Sequence, residues 1–134
     1  MKSSQNKEQV VVLTIDDEEE NNELVRRTFK PLDDYEVLSA ESAQQAIGII
    51  SQRKVDVILV DHKMPDRTGS EFLVEARAVA PQAICIIITG YPEMKEVIRS
   101  LDKKLVSRII SNPYQPEDLK TIVQQLLSKK AISA

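Results

Sequence analysis

The sequence predicts an α/β fold in which helices cover both faces of a parallel sheet, and three observations carry that reading. Five short β-branched runs alternate with five stretches of helical periodicity, the pattern of successive βαβ units. The third and fourth runs are apolar almost throughout, as strands buried on both faces are. The length, 134 residues with 42% apolar, suits one packed core and leaves no room for a second domain.

Taken in order, Val10–Ile15 reads as the first strand, and Leu24, Val25, Thr28 and Phe29 mark one face of a first helix. Tyr35–Ala40 reads as the second strand. Ser42 then offers an N-cap to a helix carrying Ala43, Ala46, Ile47 and Ile50. Residues 55–60 form the third strand, followed by a helix through Phe72, Leu73, Ala76 and Val79. Residues 83–89 form the fourth, followed by a helix through Met94, Val97, Ile98 and Leu101. Arg108–Ser111 is the fifth, and Pro116 opens a last helix through Leu119, Ile122, Val123, Leu126 and Leu127. The expected organisation is a flexible N-terminus over residues 1–9, one domain over 10–128 and a C-terminal tail over 129–134.

Composition narrows the function. A net charge of −3 lacks the basic excess that binding to a phosphate backbone requires, so no direct contact with nucleic acid is expected. With one cysteine, Cys85, and one histidine, His62, neither an internal disulfide nor a Cys/His zinc site can form, and any metal must be held by oxygen. Residues 1–9 are polar, and no run approaches the roughly 18 apolar residues of a membrane span. The chain reads as cytoplasmic, without a membrane partner.

In an open parallel sheet, ligands bind outside the carboxyl ends of the strands. Strand one is followed there by Asp16-Asp17, strand three by Asp61, strand four ends in Thr89 and strand five is followed by Asn112. Taken alone, Asp16-Asp17 is ordinary helix N-terminal charge and Asp61 an ordinary turn residue. Jointly they put three like charges on one edge, which raise one another's pKa unless a cation or proton intervenes. Magnesium, a hard ion commonly held by one or two carboxylates together with phosphate oxygens, suits such a set. Asp61 is the candidate nucleophile for a phosphoryl group, and the Thr89 hydroxyl can donate to a phosphoryl oxygen.

Asp16-Asp17-Glu18, the run Asp61-His62-Lys63-Met64-Pro65 with Gly69, Thr89-Gly90, and the segment from Arg108 to Leu119 occur in the order and separation of a known family. Over residues 10–128 the chain resembles the receiver domains of bacterial two-component response regulators. That resemblance implies a flavodoxin-like (CheY-like) doubly wound sheet of five parallel strands in the order 2-1-3-4-5, with five helices. It implies a magnesium site in which Asp17 and Asp61 ligate directly, Asp16 through water, and the backbone carbonyl of Lys63 completes the set. Asp61 would take a phosphoryl group from a sensor histidine kinase or a phosphotransfer protein. A downstream effector protein or a fused output domain would read the result. Such a domain undergoes single-turnover self-phosphorylation and dephosphorylation and is not an enzyme in the multiple-turnover sense.

Two residues depart from the family. Asn112 stands where it has a lysine, so a hydrogen-bond donor replaces a charge. Ile109 stands where many members carry an aromatic coupled to the threonine. These departures leave room for a degenerate receiver acting as a phosphorylation-independent protein-binding module. An aspartyl-nucleophile hydrolase would require a further acid or base near the crevice, and none is evident. A dinucleotide binder would require a Gly-rich loop after strand one, whereas the glycines are Gly48, Gly69 and Gly90.

Overall fold

The computed structural model describes residues 9–133. Strands β1 (Val10–Ile15), β2 (Tyr35–Ala40), β3 (Val57–Asp61), β4 (Ile84–Thr89) and β5 (Arg108–Ser111) alternate with α1 (Glu19–Phe29), α2 (Ala43–Gln52), α3 (Gly69–Val79), α4 (Lys95–Asp102) and α5 (Pro116–Ser133). All the strands pair in parallel, in the order β2-β1-β3-β4-β5, as the resemblance implies. The order reverses at β1, whose neighbours β2 and β3 follow it in the chain on opposite sides. The crevice at that reversal is where such sheets bind ligands.

Period-two alternation sorts the strand residues onto two cores. Leu13, Ile15, Ile58, Val60, Cys85 and Ile87 pack with Ala46 and Ile50 of α2, Phe72 and Leu73 of α3 and Val97 of α4. Val12, Val57, Leu59, Ile84 and Ile86 pack with Val25 and Phe29 of α1 and Leu119 and Val123 of α5. This division explains why β3 and β4 read as unbroken apolar runs: every residue from Val57 to Val60 is buried. Cys85 is a free thiol in the first core, 1% exposed.

Four boundaries differ from the sequence reading, the slightest being β4, which begins at Ile84 and not at residue 83. β3 begins at Val57: the Val11 N–H goes to the Asp56 carboxylate at 2.9 Å instead of to a strand carbonyl, while the Asp56 N–H and carbonyl still bond Val11 and Ile84. Asp61 is the last residue of β3, paired with Ile88, and not the residue after it. The tail expected from residue 129 is instead the end of α5, which runs to Ser133. Lys129, Lys130 and Ala131 are good helix formers with no breaker among them, and the Lys130 amine reaches back to the Gln82 carbonyl. The flexible segment read over residues 1–9 lies outside the described residues except for Gln9, whose side-chain amide donates to the Asp33 carbonyl at 3.0 Å.

Local chemistry sets the helix starts. Ser42 caps α2 by accepting the Gln45 N–H, as its sequence position suggests. Thr68 and Glu71 form a reciprocal capping box on α3. Both helices thus start at defined points beside the carboxyl edge of the sheet.

Candidate functional site

The first carboxylate is held by the start of α1. Asp16 leaves β1 almost buried, 9% exposed; its carboxylate accepts the Glu18 N–H at 2.9 Å and the Asn21 side-chain amide at 2.9 Å. Behind it, Asn22 is fully buried and donates to the carbonyls of Asp16 and Ala40, while its own oxygen accepts the Thr14 hydroxyl at 3.0 Å. One side chain therefore ties the ends of β1 and β2 to the first turn of α1. No periodicity announces it: an asparagine in an acidic helix start resembles any solvated residue.

The third carboxylate comes from β3. Asp16, Asp17 and Asp61 each present an oxygen within 4.8 Å of the others, Asp17 exposed and Asp61 half-buried. Burial, then the charge of Asp16, pushes the Asp61 carboxyl up to about 6, against the opposing pull of the Lys63 and His62 backbone N–H groups. Burial also raises Asp16, against its hydrogen bonds from Glu18 and Asn21. All-oxygen donors crowded at this distance, with their ionised forms penalised, fit a hard divalent cation of the magnesium type.

The loop after Asp61 is anchored at both ends. The Asp66 carboxylate accepts the N–H groups of Ala43 and Gln44 at 3.1 and 3.0 Å, capping α2 from outside its own sequence. Burial works to raise the Asp66 pKa, but these two N–H groups outweigh it and hold the carboxyl below its ordinary value. At the far end the Gly69 N–H donates to the His62 carbonyl at 2.7 Å. A Cβ on Gly69 would stand 2.8 Å from the Asp61 carbonyl oxygen, so only glycine lets α3 approach the acceptor strand this closely. His62 turns away from the site into the protein, 1% exposed, with neither ring nitrogen hydrogen-bonded; burial pushes its pKa down.

The β4–β5 side is built more lightly. Thr89 is 2% exposed, and its hydroxyl oxygen accepts the Tyr91 N–H at 3.0 Å, leaving the hydroxyl proton free to donate. Asn112 is exposed; its N–H donates to the Thr89 carbonyl at 2.8 Å, and the Asn112–Pro113 peptide is cis. A narrow cleft brings Asn112 together with Asp16, Asn21, Asp61 and Tyr114. Tyr114, which sequence reasoning left out of the site, has its hydroxyl pushed up to about 12 by burial and then by the Asp16 charge. Ile109 packs against the core, as an aliphatic strand residue does. Thr89 and Lys63 do not line the cleft, and the Lys63 ammonium lies over the Tyr91 ring, 4.4 Å from its centroid.

Comparison with known proteins agrees with this geometry. The family model described as response regulator receiver domain matches residues 12–124. The hydrogenase transcriptional regulatory protein HoxA of Cupriavidus necator is 32% identical over 93% of this chain, which spans only 26% of that relative's length. Sporulation initiation phosphotransferase F of Bacillus subtilis is 23% identical over 90% of the chain and 95% of its own length. A receiver domain protein (CheY-like) from Methanospirillum hungatei superposes with a TM-score of 0.87 at 25% identity, covering 94% of this chain and 99% of that one.

Proposed function

The chain belongs to the response regulator receiver domain family of two-component signalling, and on that premise we propose that Asp61 is its phosphoacceptor. An Asp61 carboxylate oxygen attacks the phosphorus of a phosphohistidine on a kinase or phosphotransfer protein. The P–N bond breaks, its electron pair stays with the imidazole nitrogen, and an acyl phosphate remains on Asp61. Asp17, Asp61 and the Lys63 backbone carbonyl would hold a magnesium ion directly and Asp16 through water, and the ion would supply positive charge against the negative charge of transfer. The Thr89 hydroxyl donates to a phosphoryl oxygen, and Asn112 contributes a neutral amide donor. One turnover per signal makes this a switch and not a multiple-turnover enzyme.

The observation carrying this reading is the close set of three carboxylates at the sheet's reversal point. A domain that only displayed a docking surface would gain nothing from crowding like charges there, which favours phosphorylation over the phosphorylation-independent module. The output is a shift in the surface around β4 and β5, read by an effector protein or an attached output domain. The chain spans about a quarter of the length of the HoxA relatives, and the whole protein's role would follow from whichever effector or output domain reads this surface. Among the described residues no helix is long and apolar enough to cross a membrane.

The test is Asp61→Asn, which keeps the shape and removes the nucleophile. Acetyl phosphate with magnesium should label the native chain and leave the variant unlabelled by intact-mass measurement. Stable phosphoprotein on the variant would move the acceptor elsewhere.

A further inference from the structure

We infer that Lys63 is the cation of this phosphorylation site: its ammonium leaves the face of Tyr91 to pair with the phosphoryl group on Asp61, and Tyr91 is thereby released. The inference rests on the reading of Asp61 as phosphoacceptor. It starts from charge. An acyl phosphate on Asp61 carries about −1.5 to −2 beside the carboxylates of Asp16 and Asp17. A divalent cation offsets only two of these charges, so the loaded site stays negative overall. The cleft wall supplies no ammonium or guanidinium, and Asn112 is neutral.

Among the described residues several basic side chains are already paired. Arg26 is engaged by Glu19, Glu23 and Ser39, Arg53 by Glu36, and Arg67 by Glu75. Lys63 is exposed, two residues beyond Asp61, and forms no salt bridge. Its backbone N–H is among the groups that pull the Asp61 pKa down, so its chain already belongs to the acceptor loop. What holds its ammonium is the Tyr91 ring. A cation over a solvent-exposed ring is weakly held, whereas an ammonium bonded to an anionic phosphoryl oxygen is among the stronger polar contacts. A flexible four-carbon stem can exchange one for the other without moving the backbone.

The exchange has a consequence at the surface. Tyr91 is 51% exposed, and its N–H is bonded to the Thr89 hydroxyl oxygen, so its ring hangs from the same turn that the phosphoryl group engages through Thr89. Losing the ammonium bares the ring face. Loading of Asp61 is thus written onto an aromatic side chain of the β4–α4 loop by a local charge transfer.

Beryllofluoride with magnesium, titrated into the full chain and followed by amide and aromatic-ring NMR signals, tests this. Lys63→Ala should weaken beryllofluoride binding tenfold or more, Lys63→Arg should keep most of it, and adding Asn112→Lys to Lys63→Ala should restore it. In the native chain the Tyr91 ring signals should move on saturation; in Lys63→Ala they should start near the saturated position and stay there. Lys63 is exposed, and the unliganded amide spectra check that each variant keeps the fold. If Lys63→Ala binds as tightly as the native chain, or the native Tyr91 ring is unmoved at saturation, the inference is overturned while Asp61 stands as acceptor. If the native chain binds no beryllofluoride at Asp61, both readings fail.

Discussion

The two halves of the site are built differently. On the β1–β3 side, side-chain hydrogen bonds between elements make the frame: the buried Asn22 ties the ends of β1 and β2 to α1, Asn21 and the Glu18 N–H hold Asp16, and Asp66 pins the acceptor loop to α2. On the β4–β5 side, Thr89 is buried, but Tyr91 and Asn112 are exposed and the contacts are the bonds of their N–H groups to the Thr89 hydroxyl and carbonyl and a ring face. A half that must crowd like charges needs a rigid frame to hold them against repulsion. A half that must report needs contacts weak enough to be exchanged.

The sharpest way to break this contrast compares two asparagines. Asn22→Ala leaves the Thr14 hydroxyl and the carbonyls of Asp16 and Ala40 short of a buried partner, so it should cost about 2–4 kcal/mol in urea denaturation. Asn112→Ala, at an exposed position, should change stability by less than about 0.5 kcal/mol. Equal losses would show that both halves carry the frame.

A smaller effect should appear in the pH dependence of stability. Because the folded Asp61 pKa, about 6, lies above the unfolded value of roughly 4, stability is greatest below the unfolded value and is lost as pH rises through 6. In metal-free buffer, Asp61→Asn should therefore be more stable than the native chain at neutral pH by on the order of 1–2 kcal/mol, allowing for solvent screening. The two should converge near pH 4, and a constant difference from pH 4 to 7 would contradict the crowding account. Asp66 has the opposite sign: its lowered pKa gives stability that is present above the unfolded value and lost as pH falls. Asp66→Ala should cost about 1 kcal/mol at neutral pH, the worth of a helix cap, and less in acid. An undiminished cost at pH 3 would mean that Asp66 acts through packing and not through its charge.

Much of this was legible beforehand because it is periodic or positional. The unbroken apolar runs within Val57–Asp61 and Ile84–Thr89 report burial on both faces, and a carboxylate at the carboxyl end of a strand stands out because the sheet has one functional edge. That is how Asp16, Asp17 and Asp61 could be picked out, and the structure brings them together. Asn22, Asp66 and Tyr114 were missed for a common reason. Each is an ordinary polar or aromatic residue in its local context, and its role comes from partners on other elements: Thr14 and Ala40 for Asn22, the start of α2 for Asp66, and Asp16 for Tyr114.

By itself, then, the sequence determined the alternation of elements, the burial of β3 and β4 on both faces and the acidic edge, because side-chain period and strand-end position follow from local backbone geometry. Only the tertiary structure decided where β3 begins, how far α5 runs, which side chains orient Asp16, and where the Lys63 ammonium rests. Those depend on hydrogen bonds and cation contacts between residues far apart in the chain, whose formation hinges on distances of an ångström or less that no local pattern encodes.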